Sequence, residues 1–281
     1  MKLVRYGEAG RERPGLIDAD GEIRDLSSYV DDLAGPALSD ESLERLGRID
    51  HAGLPLIPNA SRLGPPVAGT RNFVCIGLNY SDHAAETGAV IPREPIVFLK
   101  SLSALCGPND GIILPKDSSK TDWEAELAII IGSRAHAVSE AAALNHVAGY
   151  AVCNDVSERE WQNERGGAWD KGKGFDSFGP VGPWLVTRND IADPQNLDIF
   201  LDIDHRRMQS GNTSRMIFNV RHIVSYVSTC ITLYPGDIIS TGTPPGVGIG
   251  RKPPEFLKEG SIVRLGINGL GEQVHTVRRA P

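Results

Sequence analysis

The punctuation of its apolar runs constrains this chain most. Runs such as Phe73-Val-Cys-Ile-Gly77 and Leu127-Ala-Ile-Ile-Ile131 recur at short intervals, bounded by Gly, Pro, Asn and Asp. Such runs, without a regular alternation of strand and helix, specify a mostly antiparallel or mixed β body rather than a doubly wound nucleotide fold. The pattern predicts strands at Phe73–Gly77, Ile96–Lys100, Glu124–Ile131, Gly149–Asn154, Pro183–Thr187, Leu197–Ile203, Asp237–Thr241 and Ser261–Ile267. Helices are expected to be few: Glu140–Leu144, Ser157–Arg165 and Val220–Leu233, the last with apolar residues near helical spacing. The Pro and Gly residues of Leu63-Gly-Pro-Pro-Val-Ala-Gly69 mark a boundary. Residues 1–68 therefore read as a small N-terminal α/β domain, with a strand at Lys2–Tyr6 and helices around Leu26–Leu33 and Asp40–Leu46. Residues 69–281 form the main body, and the fold class is α+β, mostly β.

A chain of 281 residues can bury a large core. Its net charge of −7 argues against a broad nucleic-acid surface, so the expected partner is a small molecule and not nucleic acid. Cys75, Cys106, Cys153 and Cys230 form no Cys-x-x-Cys pair and sit in apolar surroundings, which suits buried reduced thiols and a cytoplasmic location. The N-terminus lacks a signal-peptide core, and no run approaches the roughly 18 apolar residues a membrane span needs, so no membrane association is expected.

Chemistry enters with Thr121-Asp-Trp-Glu-Ala-Glu-Leu-Ala-Ile-Ile-Ile-Gly132. On a strand, Glu124, Glu126, Ala128 and Ile130 share one side. Two buried like charges are costly, and one takes up a proton unless something positive lies between them. A divalent cation is the simplest solution, and oxygen-only ligands favour magnesium, manganese or calcium over zinc. A solvent-facing strand side is the competing reading. Asp155, at the expected end of the next strand, is a third acid; Ser157 and Glu160 match a capping box that would start a helix just beyond it. An Asp before a helix can equally be a plain turn or cap residue.

Three further clusters stand out. In Gly77-Leu-Asn-Tyr-Ser-Asp-His83-Ala-Ala-Glu86-Thr-Gly88, a short helix after Ser81 would put His83 and Glu86 on one face, the arrangement of an oriented general base. An exposed helical His–Glu pair is its ordinary alternative. The Gly-rich run from Gly166 to Pro180 carries Lys171 and Lys173, which could swing towards an anion or belong to a solvated loop. Ser240-Thr241-Gly242-Thr243-Pro-Pro-Gly246-Val-Gly-Ile-Gly250 follows an apolar strand, and its backbone N–H groups could hold a carboxylate. It lacks the Lys-Ser/Thr ending of a nucleotide phosphate loop and the dinucleotide glycine spacing.

Together Trp123-Glu-Ala-Glu126-Leu, Asn154-Asp155-Val-Ser, Lys171-Gly-Lys-Gly-Phe-Asp176 and Thr241-Gly-Thr-Pro-Pro-Gly246 resemble the fumarylacetoacetate hydrolase superfamily over roughly residues 70–270, in its 2,4-diketo-acid hydrolase and 2-hydroxyhepta-2,4-diene-1,7-dioate isomerase-like branch. The resemblance implies a mixed β-roll with a small variable N-terminal domain, metal dependence and a homodimer. It assigns Glu124, Glu126 and Asp155 as magnesium ligands, with manganese or calcium as substitutes, and His83 with Glu86 as a water-activating dyad. Lys173 would stabilise an enolate or oxyanion. Gln162, Gly242 and Thr243 would hold the substrate. The implied reaction is carbon–carbon hydrolysis of a 2,4-diketo acid, sugar-derived ones included, to pyruvate and a second acid. Isomerisation or decarboxylation of a 2-hydroxymuconate-type diacid, a lyase acting on a ureido acid, or a non-catalytic relative are the alternatives. Two departures are visible. Val74-Cys-Ile-Gly77 stands where fumarylacetoacetases proper place a fourth acidic ligand, which argues against fumarylacetoacetate itself as the substrate. His205 stands where relatives commonly keep a Gly, so a strained positive φ with a local adjustment is expected there.

Overall fold

The segment Ala125–Ile131 lies at the centre of the molecule, and its alternation feeds two cores. Ala125, Leu127, Ile129 and Ile131 pack with Trp123, Tyr150, Leu201 and Leu265. Ala128 and Ile130 point the other way, into a core shared with Leu38, Leu46, Phe73, Cys75 and Cys153. A strand buried on both faces explains its nearly unbroken apolar sequence. The computed structural model describes residues 1–58, 61–88 and 90–280, the side chains of residues 85 and 87 excepted.

The N-terminal unit holds strands β1 (Lys2–Tyr6), β2 (Arg13–Ile17), β3 (Ile23–Asp25) and β4 (Leu56–Ile57) with helix α1 (Asp40–Gly47). The body continues with β5 (Phe73–Gly77), α2 (Ser81–Thr87), β6 (Ile96–Leu99), β7 (Leu105–Cys106), β8 (Ile112–Leu114), β9 (Thr121–Asp122), β10 (Ala125–Ile131) and α3 (Glu140–Ala143). Next come β11 (Val147–Asn154), β12 (Ser157–Glu158), α4 (Arg159–Asn163), α5 (Trp169–Lys173) and β13 (Gly179–Thr187). The chain ends with β14 (Asp198–Ile203), β15 (Arg206–Asn212), α6 (Val220–Cys230), β16 (Ile238–Ser240), β17 (Ile262–Ile267) and β18 (Gly271–Arg279). With 34% strand and 22% helix the chain is mostly β, as expected, and its sheets are mixed.

The main sheet runs β4-β3-β2-β1-β13-β11-β10-β16-β5-β6, and a second sheet runs β15-β14-β17-β18-β8. β1 pairs antiparallel with β13, Leu3 opposite Leu185, so the N-terminal unit extends the sheet of the body. An ion-pair network reinforces that junction: Arg62 binds Glu12 at 2.8 Å and Asp110 at 2.6 Å, and Arg5 binds Asp32 at 2.7 Å.

Several expectations need correction. The Leu26–Leu33 stretch forms turns, because Asp25 Oδ1 accepts hydrogen bonds from the Ser27 N–H and hydroxyl, a local alternative to helix. The capping box does not form: Ser157 and Glu158 pair as β12 with β9, and the Ser157 hydroxyl donates to the Asp155 carbonyl. The helix begins only at Arg159. The stretch around Lys173 is the short helix α5, not a solvated loop, and Lys173 is buried. At the β14–β15 turn, Asp204 and His205 both adopt positive φ, 49° and 65°, so the hairpin keeps its tight turn despite the absence of Gly. Strand β18 escaped the sequence reading because its inward positions include Gln273 and His275 while Val274 points out, which inverts the usual polarity of alternation.

Candidate active site

Antiparallel register assembles three acids. β10 pairs with β11 so that Glu126 faces Cys153 and Ala125 faces Asn154. One residue beyond that ladder, the Asp155 N–H donates to the Glu124 carbonyl at 2.9 Å, and the Glu124 N–H donates to Asn154 Oδ1 at 3.1 Å. The strand ends are thereby locked, and one carboxylate oxygen each from Glu124, Glu126 and Asp155 falls within 4.8 Å of the others. All three are buried.

Buried cations answer part of this charge. The Lys173 ammonium donates to Glu124 Oε2 and Asp155 Oδ2, both at 2.7 Å. The Lys100 ammonium lies 2.6 Å from Asp155 Oδ1 and donates to the carbonyls of Val156 and Lys173. Arg159 holds Asp122 through Nε at 2.8 Å, Glu124 through Nη2 at 2.7 Å and Gln162 Oε1 through Nη1 at 2.9 Å. Burial opposes ionisation of Glu124, but Lys173 and Arg159 outweigh it and hold its carboxyl down to about 2. Glu126 behaves oppositely: burial, then repulsion from Asp155 and Glu124, pushes its carboxyl well above the ordinary range. Its Oε2 accepts from the Ser240 hydroxyl at 2.6 Å and the Gly242 N–H at 2.8 Å. Among the described residues no ion pair is formed by Glu126, so it is the acid of the triad that favours its proton, and a cation held by the three carboxylates would favour its charged form. Three converging buried oxygens, none from Cys or His, suit a hard divalent ion.

The dyad faces the same cavity. On α2, His83 Nδ1 lies 3.1 Å from Glu86 Oε2, and Glu86 also accepts from the Gly246 N–H at 3.0 and 3.1 Å. Burial pushes the Glu86 carboxyl up, yet hydrogen bonds from His83 and Gly246 outweigh it and hold it below its usual value. With Nδ1 donating to that carboxylate, the basic lone pair of His83 is on Nε2. The cavity, about 230 Å³, is lined by His83, Glu124, Glu126, Asp155, Arg159, Gln162, Lys173, Gly242 and Thr243, so every sequence-selected site residue except Glu86 reaches it directly.

Two of them also have partners within the protein. The Gly242 N–H points at Glu126, and the Thr243 hydroxyl donates to the Ala125 carbonyl and accepts from Gln209, both at 2.8 Å. Gly242 has φ +94°, and a Cβ there would come within 2.7 Å of Asn79 Cβ. Both residues therefore shape the loop that positions Glu126.

Sequence reasoning missed Asp122, Lys100 and Arg159. Asp122 shares the parity of Glu124 and Glu126 along the strand, a usable signal; besides Arg159 it accepts the backbone N–H groups of Gly248 and Ile249. Arg159 lies three residues before Gln162, a helical-face spacing. Lys100 closes an apolar run, and only the fold shows that it turns inward.

Residues 72–278 match the family described as Fumarylacetoacetate (FAA) hydrolase C-terminal. The chain is 61% identical, over 100% of both chains, to a protein of Burkholderia ambifaria strain MC40-6 that is named provisionally as a hydrolase. Among solved structures it resembles 2-hydroxyhepta-2,4-diene-1,7-dioate isomerase from Mycobacterium marinum, with 33% identity, a TM-score of 0.79 and coverage of 99% of this chain and 98% of the other. It also resembles maleylpyruvate hydrolase from Sphingobium sp. SYK-6 in complex with manganese(II) and pyruvate, with 30% identity, a TM-score of 0.82 and 100% coverage of both.

Proposed function

Since this chain belongs to the fumarylacetoacetate hydrolase family, we propose that it is a divalent-metal-dependent hydrolase that cleaves a carbon–carbon bond of a 2,4-diketo acid to pyruvate and a second acid. The observation that carries this reading is the opening of a buried carboxylate triad and of His83, hydrogen-bonded to Glu86, into one cavity. Glu124, Glu126 and Asp155 would hold the ion, magnesium by preference, with manganese or calcium as substitutes. When bound, such an ion would supply positive charge that polarises the keto acid.

The protein's groups then do the following. His83, aligned by Glu86, takes a proton from water, and the hydroxide forms a bond to carbon 4. Lys173 and Gln162 stabilise negative charge developing on the substrate oxygens. The carbon 3–carbon 4 bond breaks, its electron pair stays on carbon 3, and the proton held by His83 returns there to give pyruvate. Enol–keto isomerisation of a diacid needs only proton transfer; a carboxylate-oriented His83 beside the triad favours delivery of water. We take the enzyme to be a cytoplasmic homodimer: the compartment is supported by cysteines that form no Cys-x-x-Cys pair, and the dimer by the family resemblance. The test is magnesium-dependent pyruvate release across a panel of 2,4-diketo acids, sugar-derived ones included; no release from any member in the metal-loaded protein refutes the reading.

A further inference from the structure

The peptide group shared by Thr241 and Gly242 is held at both ends. Its N–H donates to Glu126 Oε2 at 2.8 Å, and its C=O accepts from Asn79 Nδ2 at 2.7 Å. In a planar trans peptide these two groups point in opposite directions, so a partner on the carbonyl fixes where the N–H is aimed. Hydrogen bonds in such a chain also polarise one another, which makes the N–H a better donor to a carboxylate.

Asn79 is itself fixed in place. It is buried, its amide nitrogen also donates to the Phe218 carbonyl at 3.1 Å, and its Oδ1 accepts the Phe218 N–H at 2.8 Å. Carbonyls only accept and N–H groups only donate, so these partners leave the amide a single orientation. The Asn79 backbone C=O adds a fourth tie by accepting the Ile217 N–H at 2.7 Å. Just before it lies Leu78, which lines the cavity at φ 51°, and just after it begins α2, the helix of His83 and Glu86. A left-handed leucine is strained and persists where its surroundings over-determine the backbone, which the four ties of Asn79 do.

We infer that Asn79 is a positioning residue: it aims the Gly242 N–H at Glu126 and ties that peptide to the base of the helix that carries the dyad. Asn79→Ala deletes the amide, and Asn79→Ser leaves a short hydroxyl in its place. Amide hydrogen exchange followed by NMR reads the N–H directly. In either variant the Gly242 amide should exchange at least about tenfold faster beyond any acceleration at Ile129, which is paired on both sides with Tyr150 and Ile239. A residue that only supported global stability would speed both alike. The second readout rests on the proposed ion-holding role of Glu126. Manganese affinity by calorimetry should fall at least about tenfold in Asn79→Ala, but less than about threefold when the same change is made in Glu126→Gln, where the carboxylate charge is already gone. Unchanged Gly242 exchange in both variants, equal acceleration of Gly242 and Ile129, loss of folding by both variants, or an equal manganese loss with and without Glu126→Gln overturns the inference. No manganese binding by the unaltered protein would refute the ion-binding reading, and the exchange rates would still decide the role of Asn79.

Discussion

The Lys173 ammonium lies 2.7 Å from Glu124 Oε2, joining a five-residue helix to the residue just before the central strand. It is one of three buried cations set against four buried acids, Asp122, Glu124, Glu126 and Asp155. Asp122, Glu124 and Asp155 are each ion-paired, and Glu126 is the acid left over. Glu126 therefore favours its neutral form in this arrangement, and an ion shared with the two other acids would favour its charged form.

Removing that carboxylate's charge tests the metal assignment. Glu126→Gln keeps the shape and the acceptor for Ser240 and Gly242 but deletes an anionic ligand. Manganese affinity, measured by calorimetry or paramagnetic relaxation, should fall at least about tenfold, by analogy with the losses found when metal-site partners are altered. Chelator treatment of the unaltered protein should abolish turnover, and added magnesium or manganese should restore it.

His83→Ala separates chemistry from metal binding. Loss of a general base typically costs about 10²- to 10⁴-fold in rate, so kcat should drop by that order while manganese affinity stays unchanged. A variant with full kcat contradicts the assigned role.

Gly242→Ala places a methyl group where φ is +94° and Asn79 Cβ is 2.7 Å away. The loop must move, which costs about 1–3 kcal/mol of stability and withdraws the N–H that holds Glu126. Lower thermal stability together with weaker manganese binding is the expected result.

Lys100→Met removes a buried cation from Asp155 and leaves an unbranched apolar side chain one atom shorter. Asp155 keeps its pair with Lys173, so what is lost is one charged partner of that acid and the donor to the Val156 and Lys173 carbonyls, a cost of about 1–3 kcal/mol. Denaturant unfolding should show a loss of that order.

The network at the N-terminal junction predicts a pH dependence. Burial raises the Glu12 and Asp110 carboxyls, but Arg62 outweighs it and holds both below their ordinary values. Their depressed folded-state values mean that the unfolded chain binds more protons near pH 4, so stability from this network is complete above about pH 4–5 and is lost as pH falls further. Arg62→Ala should cost about 1–3 kcal/mol at pH 7. In thermal melts, the gap between Arg62→Ala and the unaltered protein should close as pH falls towards 3.

The sequence made much of this site legible. Alternation along Glu124–Ile131 put two acids on one side, and the spacing of His83 and Glu86 anticipated their hydrogen bond on α2. The Leu26–Leu33 turns, the β12 pairing at Ser157 and the polar interior of β18 were hidden, because side-chain hydrogen bonds and strand partners distant in sequence overrode local preference.

What the sequence determined alone was the mostly β class, the shared side of Glu124 and Glu126 and the pairing of His83 with Glu86, since these depend on periodicities of two and of three to four residues within short segments, whereas Asp155 joined the two glutamates only through the family resemblance. The tertiary structure decided that Lys100, Arg159 and Lys173, from three separate segments, converge on those acids, and that among the described residues Glu126 forms no ion pair. Such relations arise where register and packing bring distant segments together, and no local periodicity records them.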